Sequence, residues 1–204
     1  LAHIGSWELV PSQPELVWSD NLFRIFGVRP GAVTPSIEYV LAQTHPDDRG
    51  RLAARLRAMQ AQDEGPHSVE YRITRPGGDR RHLRSTLAWV EDRDDGLNRM
   101  VGVVQDVTEA RRAEREIAAH VAVEEALDDW DGFDRGSRQL VSKLAVALDC
   151  VAGVLWLPRG DALVARIVWQ DAVADLPAFA AATRSASLPR GAGLPGRAWA
   201  TGEP

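Results

Sequence analysis

The chain has 204 residues, 45% of them hydrophobic and 26% charged, which fits one or two soluble globular domains. Its formal net charge of -5 argues against a nucleic-acid surface, because phosphate binding needs a basic field. A single cysteine, Cys150, excludes an internal disulfide and a cysteine metal cluster and suits the reducing cytoplasm.

Cys150 precedes the apolar run Val151–Leu157 and is expected as a small buried thiol. No apolar stretch approaches the roughly 18 residues of a membrane helix. A start at Leu1 and a stop at Thr201-Gly202-Glu203-Pro204 read as the ends of a fragment, whose parent could carry a membrane anchor elsewhere.

In chain order, Gly5–Val10 and Leu16–Trp18 suggest a hairpin across Pro11-Ser12-Gln13-Pro14. Ser19 and Asp20 can cap a short helix, Asn21–Phe26, closed by Gly27, with Leu22, Ile25 and Phe26 on one side. Thr34-Pro35 reads as a cap followed by a first helical proline, turning Ile37, Val40 and Leu41 inward. His45-Pro46-Asp47-Asp48-Arg49 opens a longer helix with acidic residues at its positive end. Leu52, Leu56 and Met59 form its core stripe, while Arg49, Arg51, Arg55 and Arg57 form its wet side.

Three strands follow. In His67–Arg75, Val69, Tyr71 and Ile73 alternate with polar residues. Pro76-Gly77-Gly78-Asp79 turns into Arg80–Glu91, where Leu83, Leu87 and Trp89 share a face, and Asp94-Asp95-Gly96 makes the next turn. Arg99–Val107 is apolar on both faces and is therefore expected to be central and covered on both sides. Two strands, helices and three antiparallel strands make an α+β domain.

Thr108, or Asp106 with Glu109, can cap a helix through Arg111–Leu127 whose loose apolar stripe is Ala110, Ala113, Ile117, Val121 and Leu127. From Phe133 the pattern restarts. Leu140, Leu144 and Leu148 step along an amphipathic helix, Val151–Leu157 reads as a buried strand, and Ala162–Trp169 as a second. A helix over Ala178–Arg184 follows. Two strands cannot close a sheet that buries both faces, so this second domain is expected to be incomplete.

The first part resembles the PAS family, in the branch called PAS fold 3 with its PAC motif. Gly5-Ser6-Trp7-Glu8, Trp18-Ser19-Asp20 with Phe23-Arg24-Ile25-Phe26-Gly27, and His45-Pro46-Asp47-Asp48-Arg49 carry the likeness. So do Glu70-Tyr71-Arg72-Ile73 with Pro76-Gly77-Gly78, and Gly102-Val103-Val104-Gln105-Asp106-Val107-Thr108-Glu109. His82 departs from it, standing where tryptophan is frequent. The tail resembles the start of a GAF domain through Gly153-Val154-Leu155-Trp156, Leu188-Pro189-Arg190-Gly191, Gly193-Leu194-Pro195-Gly196 and Ala198-Trp199-Ala200-Thr201-Gly202-Glu203-Pro204.

The resemblance implies a PAS/PAC domain over 1–107, a linker helix over 108–130, and the N-terminal part of a GAF domain over 131–204. The PAS part should be a five-stranded antiparallel sheet with flanking helices and a pocket between them. Phe23, Phe26, Leu41, Leu52, Leu56, Tyr71, Ile73 and Val104 are the pocket candidates, suited to a small apolar ligand. Asp106 and Thr108 would couple the sheet to the linker, although helix capping alone also accounts for them.

The implied role is sensory input and relay in a bacterial signalling protein, foremost a histidine kinase of a two-component system. A diguanylate cyclase or PP2C-type serine phosphatase parent, or a ligand-free dimerisation scaffold, are the alternatives. A homodimer through the linker helix is expected, and no catalytic centre within the segment.

Other motifs have structural explanations. Gly191-Ala192-Gly193-Leu194-Pro195-Gly196 matches a dinucleotide pattern, but it lacks the strand–helix setting and the later acidic residue. The same glycines suggest a phosphate loop, but Arg197 and Ala198 replace its lysine and hydroxyl. It reads as a turn into a helix, with Pro195 near the first position. None of the five histidines has metal spacing or a cysteine partner. The absence of a histidine from Asp48–Gln62 argues against haem, and the absence of an Asn-Cys-Arg run against flavin photochemistry. His45 is expected as a hydrogen-bonding cap, and His120 as an exposed helix residue.

Overall fold

The computed structural model describes residues 3–9, 16–60, 67–91, 98–174 and 176–203, with two compact units, Leu1–Arg111 and Arg112–Pro204. The expected turns at Pro11–Pro14 and Asp94–Gly96, the side chain of Met59, and Pro204 lie outside the described residues. Among those residues no helix is long and apolar enough to cross a membrane.

The first unit runs β1 (Ile4–Leu9), β2 (Leu16–Trp18), α1 (Asp20–Phe26), α2 (Ile37–Gln43), α3 (Pro46–Gln60), β3 (His67–Thr74), β4 (Arg80–Glu91) and β5 (Asn98–Asp106). The described strands form an antiparallel sheet in the order β2-β1-β5-β4-β3. Alternation sorts the faces. Trp7 and Leu9 of β1, Leu16 and Trp18 of β2, Val69, Tyr71 and Ile73 of β3, Leu83 and Leu87 of β4, and Met100 and Val104 of β5 are buried in one core with α1 and α3.

β5 is central, as its composition implies, but among the described residues its outward face is left partly exposed. Val103 is 48% exposed, beside exposed Ile4 and Val17 on the same side. Val107, just past the strand, is buried.

Helix ends follow local chemistry. Gly27 closes α1 in the left-handed conformation (φ 72°), with its N–H and that of Val28 returning to the carbonyls of Arg24 and Phe23. Arg75 reaches across from the end of β3 to donate to the carbonyls of Ile25 and Arg24. The N-cap of α2 is Ser36, whose hydroxyl accepts from Tyr39 N at 3.0 Å, and not Thr34. Proline at 35 thus precedes the helix instead of opening it. Ser19 flanks α1 without capping it by its side chain; its hydroxyl accepts from Ser6 N and ties α1 to β1.

α4 (Thr108–Asp128) leaves the first unit and continues into the second, which holds α5 (Phe133–Ala147), β6 (Ala152–Arg159), β7 (Ala162–Gln170), α6 (Pro177–Ser185), β8 (Ser187–Pro189) and α7 (Gly193–Thr201). The described strands pair antiparallel in the order β6-β7-β8. Trp130 lies on Gly136, where a β-carbon would stand 2.4 Å from the indole.

Two expectations change here, those for β6 and Cys150. The buried side of α4 is its alanine face, Ala122 and Ala126, whereas Ile117, Val121 and Leu127 are exposed. β6 is an edge strand whose residues are half-buried or exposed, not a buried strand. Cys150 is exposed, because Asp149 adopts a left-handed conformation (φ 57°) and turns the chain out at the end of α5. Pro195 sits in the third position of α7, near its start.

Candidate functional site

A cavity of about 30 Å³ lies between the inner face of the sheet and α1–α3, room for roughly two water molecules. Its walls are Trp7 of β1, Leu16 and Trp18 of β2, Tyr71 of β3, Ser85 and Leu87 of β4, and Val104 of β5. Leu22 and Phe26 of α1, Ile37 and Val40 of α2, and Leu52 and Leu56 of α3 complete it. Tyr71 and Ser85 supply the hydroxyls of this lining. They are hydrogen-bonded to each other, and burial pushes the Tyr71 phenol well above its ordinary pKa.

Of the pocket candidates, Phe26, Leu52, Leu56, Tyr71 and Val104 line this cavity together. Phe23 does not; it is buried beside Trp18 at a ring distance of 5.3 Å. Ile73 is fully buried in the core, and Leu41 is half-buried against it; neither lines the space. The residues missed are the tryptophans, Leu16, Leu22, Ile37, Val40, Ser85 and Leu87. Trp7 and Trp18 meet as cross-strand partners, a pairing that spans the expected hairpin turn.

The long helix α3 is fixed to the sheet edge by charge. Asp48 is 6% exposed and sits in its first turn. Its Oδ2 accepts from the backbone N–H of Arg72 at 2.9 Å and from Arg72 Nε at 2.8 Å, and its Oδ1 from Arg72 Nη2 at 3.1 Å. Those bonds outweigh desolvation and hold the Asp48 carboxyl below its ordinary pKa. His45 Nδ1 accepts from Asp47 N, a capping contact as expected.

At the far end of β5, Asp106 and Thr108 do come together. Asp106 Oδ1 accepts from both the N–H and the hydroxyl of Thr108, and Thr108 Oγ1 accepts from His82 N at 2.9 Å. Asp106 N donates to the carbonyl of His3, and Arg81 and Arg75 face Asp106 Oδ2 at 3.6 and 3.9 Å. The start of α4 is thus bonded to both β4 and β5, through His82 and Asp106. Among the described residues no group of His, Cys, Asp and Glu could hold a metal ion.

A five-stranded antiparallel sheet in the order 2-1-5-4-3, with helices over one face, is the scaffold of this site, and residues 15–104 match the family model described as PAS fold. The first unit is a PAS domain. Among similar solved structures is a sensory box histidine kinase/response regulator from Burkholderia thailandensis E264. It is 31% identical over 61% of this chain and 90% of that one, with a TM-score of 0.46. The N-terminal domain of a diguanylate cyclase with PAS/PAC sensor from Marinobacter aquaeolei is 17% identical over 52% of this chain and 97% of that one, with a TM-score of 0.44. A LOV protein of Rhodobacter sphaeroides is 16% identical over 72% and 86%, with a TM-score of 0.44. Among curated proteins nothing matches. PAS domains are sensory domains of signalling proteins, and this PAS domain is read as one.

Proposed function

We propose that the chain is a sensory input and relay segment, in which a small apolar ligand carrying one hydrogen-bonding group enters the PAS cavity and biases α4. The observation that carries this reading is the apolar cavity with the Tyr71–Ser85 hydroxyl pair set among hydrocarbon and indole walls. Its volume of about 30 Å³ means that a ligand has to displace the lid, α3, and that displacement is the signal. Residues 108–130 then serve as the linker and 131–204 as the N-terminal part of a GAF domain. A histidine kinase is the parent we favour, with a diguanylate cyclase or serine phosphatase as the other outputs.

The test uses Trp7 and Trp18 as built-in reporters. Titration with small apolar alcohols, phenols and ketones should change tryptophan fluorescence saturably, and Ser85→Ala should weaken the hydroxyl-bearing ligands about tenfold. If the whole panel leaves the fluorescence unchanged at millimolar concentration, a ligand-free dimerisation scaffold becomes the better account. Exposed Ile117, Val121 and Leu127 on α4 support a second copy pairing along that helix. Sedimentation of the chain and of an Ile117→Glu, Val121→Glu variant, both monomeric, would remove that support.

A further inference from the structure

The β3 tripeptide Glu70-Tyr71-Arg72 touches three different parts of the PAS domain. Its middle side chain, Tyr71, lines the cavity on the inner face. Its backbone is gripped at the strand edge by the lid: Arg51 of α3 donates to the carbonyl of Glu70 at 2.7 Å, and Asp48 of α3 accepts from the N–H and guanidinium of Arg72. The N–H of His45, ahead of α3, donates to the carbonyl of Arg72 at 2.8 Å. The third side chain, Glu70, projects from the opposite face, since successive residues of a strand alternate.

On that face Glu70 holds two arginines. Oε1 accepts from Nε and Nη2 of Arg84, its cross-strand partner, at 2.8 and 2.7 Å. Oε2 accepts from Nη2 of Arg111, in the first turn of α4. Arg111 leaves the chain beyond β5, and β4 lies between β5 and β3 in the sheet. The Arg111–Glu70 pair therefore joins the start of α4 to a strand that is not the neighbour of β5 in the sheet. Asp106 and Thr108 fix where α4 begins, but they lie at the ends of β5 and α4 and touch neither the lid nor the cavity lining.

We infer that Glu70 and Arg111 form a latch that positions the first turn of α4 according to the state of the lid, by a route separate from the Asp106–Thr108 junction. The inference rests on the relay reading above and adds its path. A shift of α3 moves the Glu70 carbonyl through Arg51, and a ligand against Tyr71 moves the same residue from the inner face. Either displacement changes the reach between the Glu70 carboxylate and Arg111. Both are positioning residues; neither touches the cavity.

Hydrogen exchange of the amides of residues 112–115, which close the first turns of α4, measures the latch in the whole chain without ligand. Glu70→Gln and Arg111→Met should each speed their exchange about threefold, the size expected of a half-exposed ion pair, and Arg111→Lys should restore most of the protection. Arg51→Met, on the lid, should speed the same amides about twofold in the otherwise unaltered chain and leave them unchanged in the Arg111→Met background. Unaltered exchange in both Glu70→Gln and Arg111→Met, with circular dichroism showing a folded chain, overturns the latch. Equal acceleration by Arg51→Met in both backgrounds overturns its link to the lid. An intact cycle together with no response of these amides to a ligand that binds the cavity upholds the latch and sinks the ligand relay instead.

Discussion

Trp7 and Gly102 are register partners on β1 and β5, and the indole lies so close over the glycine that a β-carbon there would stand 2.2 Å from Trp7 Cε2. The absence of a side chain at Gly102 is what lets Trp7 fold flat against the sheet and form a cavity wall. Gly102→Ala is expected to destabilise the PAS domain by about 2–3 kcal/mol through overpacking. Urea denaturation followed by tryptophan fluorescence checks this; a midpoint equal to that of the unaltered chain would show that Trp7 can move aside freely.

Asp48 makes a sharper demand. Asn at this position keeps the shape but sets an amide against the guanidinium and N–H of Arg72, so Asp48→Asn should cost about 2 kcal/mol at neutral pH. The carboxyls of Asp48 and Glu70 both titrate below their ordinary values in the folded chain, held down chiefly by hydrogen bonds from Arg72 and Arg111. Their stabilisation is therefore fully present above the unfolded carboxylate range, near pH 4, and is lost as pH falls through the lower folded values. Denaturation midpoints measured from pH 6 downward should drop less steeply in Asp48→Asn than in the unaltered chain.

Thr108 is a test of the junction. Its hydroxyl both donates to Asp106 and accepts from His82 N, so Thr108→Val removes two hydrogen bonds at a buried position while the backbone N–H of residue 108 still reaches Asp106 Oδ1. A loss of about 2 kcal/mol is expected, with faster exchange of the His82 amide. Thr108→Ser should retain most of the stability. A larger loss in Thr108→Ser than in Thr108→Val would mean that the methyl group, not the hydroxyl, matters here.

In the second unit, Asp149 holds φ 57°, where the side chain is strained, and the N–H of Cys150 returns to the carbonyl of Ala145 to close α5. Asp149→Gly should stabilise this unit by about 0.5 kcal/mol, relief of strain exceeding the added freedom of the unfolded chain. A small rise in the unit's melting temperature checks it; a fall would point to a stronger role for the Arg115–Asp149 contact at 4.0 Å.

Much of the PAS sheet was legible because alternation is strict in His67–Thr74 and in the first half of Arg80–Glu91, where inward residues repeat every second position. The same period could not say which of two apolar faces of β5 has a partner, since Val101 and Val103 are as hydrophobic as Val104. On α4 the loose apolar stripe does not say which side meets the rest of the chain: Ala122 and Ala126 are buried, and Ile117 is exposed. The cavity was half legible. Tyr71, Leu52 and Leu56 follow from periodicity, whereas Trp7 opposite Trp18 and Ser85 beside Tyr71 depend on register, which only the folded sheet supplies. Asp48 looked like an ordinary helix-start carboxylate because its partner, Arg72, stands 24 residues away.

The sheet order has a bearing on how the chain comes to be folded. β1 sits between β2 and β5, and its ladder to β5 joins Ile4 to Gln105. That contact spans nearly the whole PAS domain, so it carries a large closure entropy and a slow, late search. During synthesis the early hairpin and helices must wait, with their apolar faces open, until the last strand leaves the ribosome. α4 follows β5 directly, so that helix is made at the moment its anchor becomes available. A chain cut anywhere before β5 should be a substrate for chaperones and proteases, not a smaller sensor.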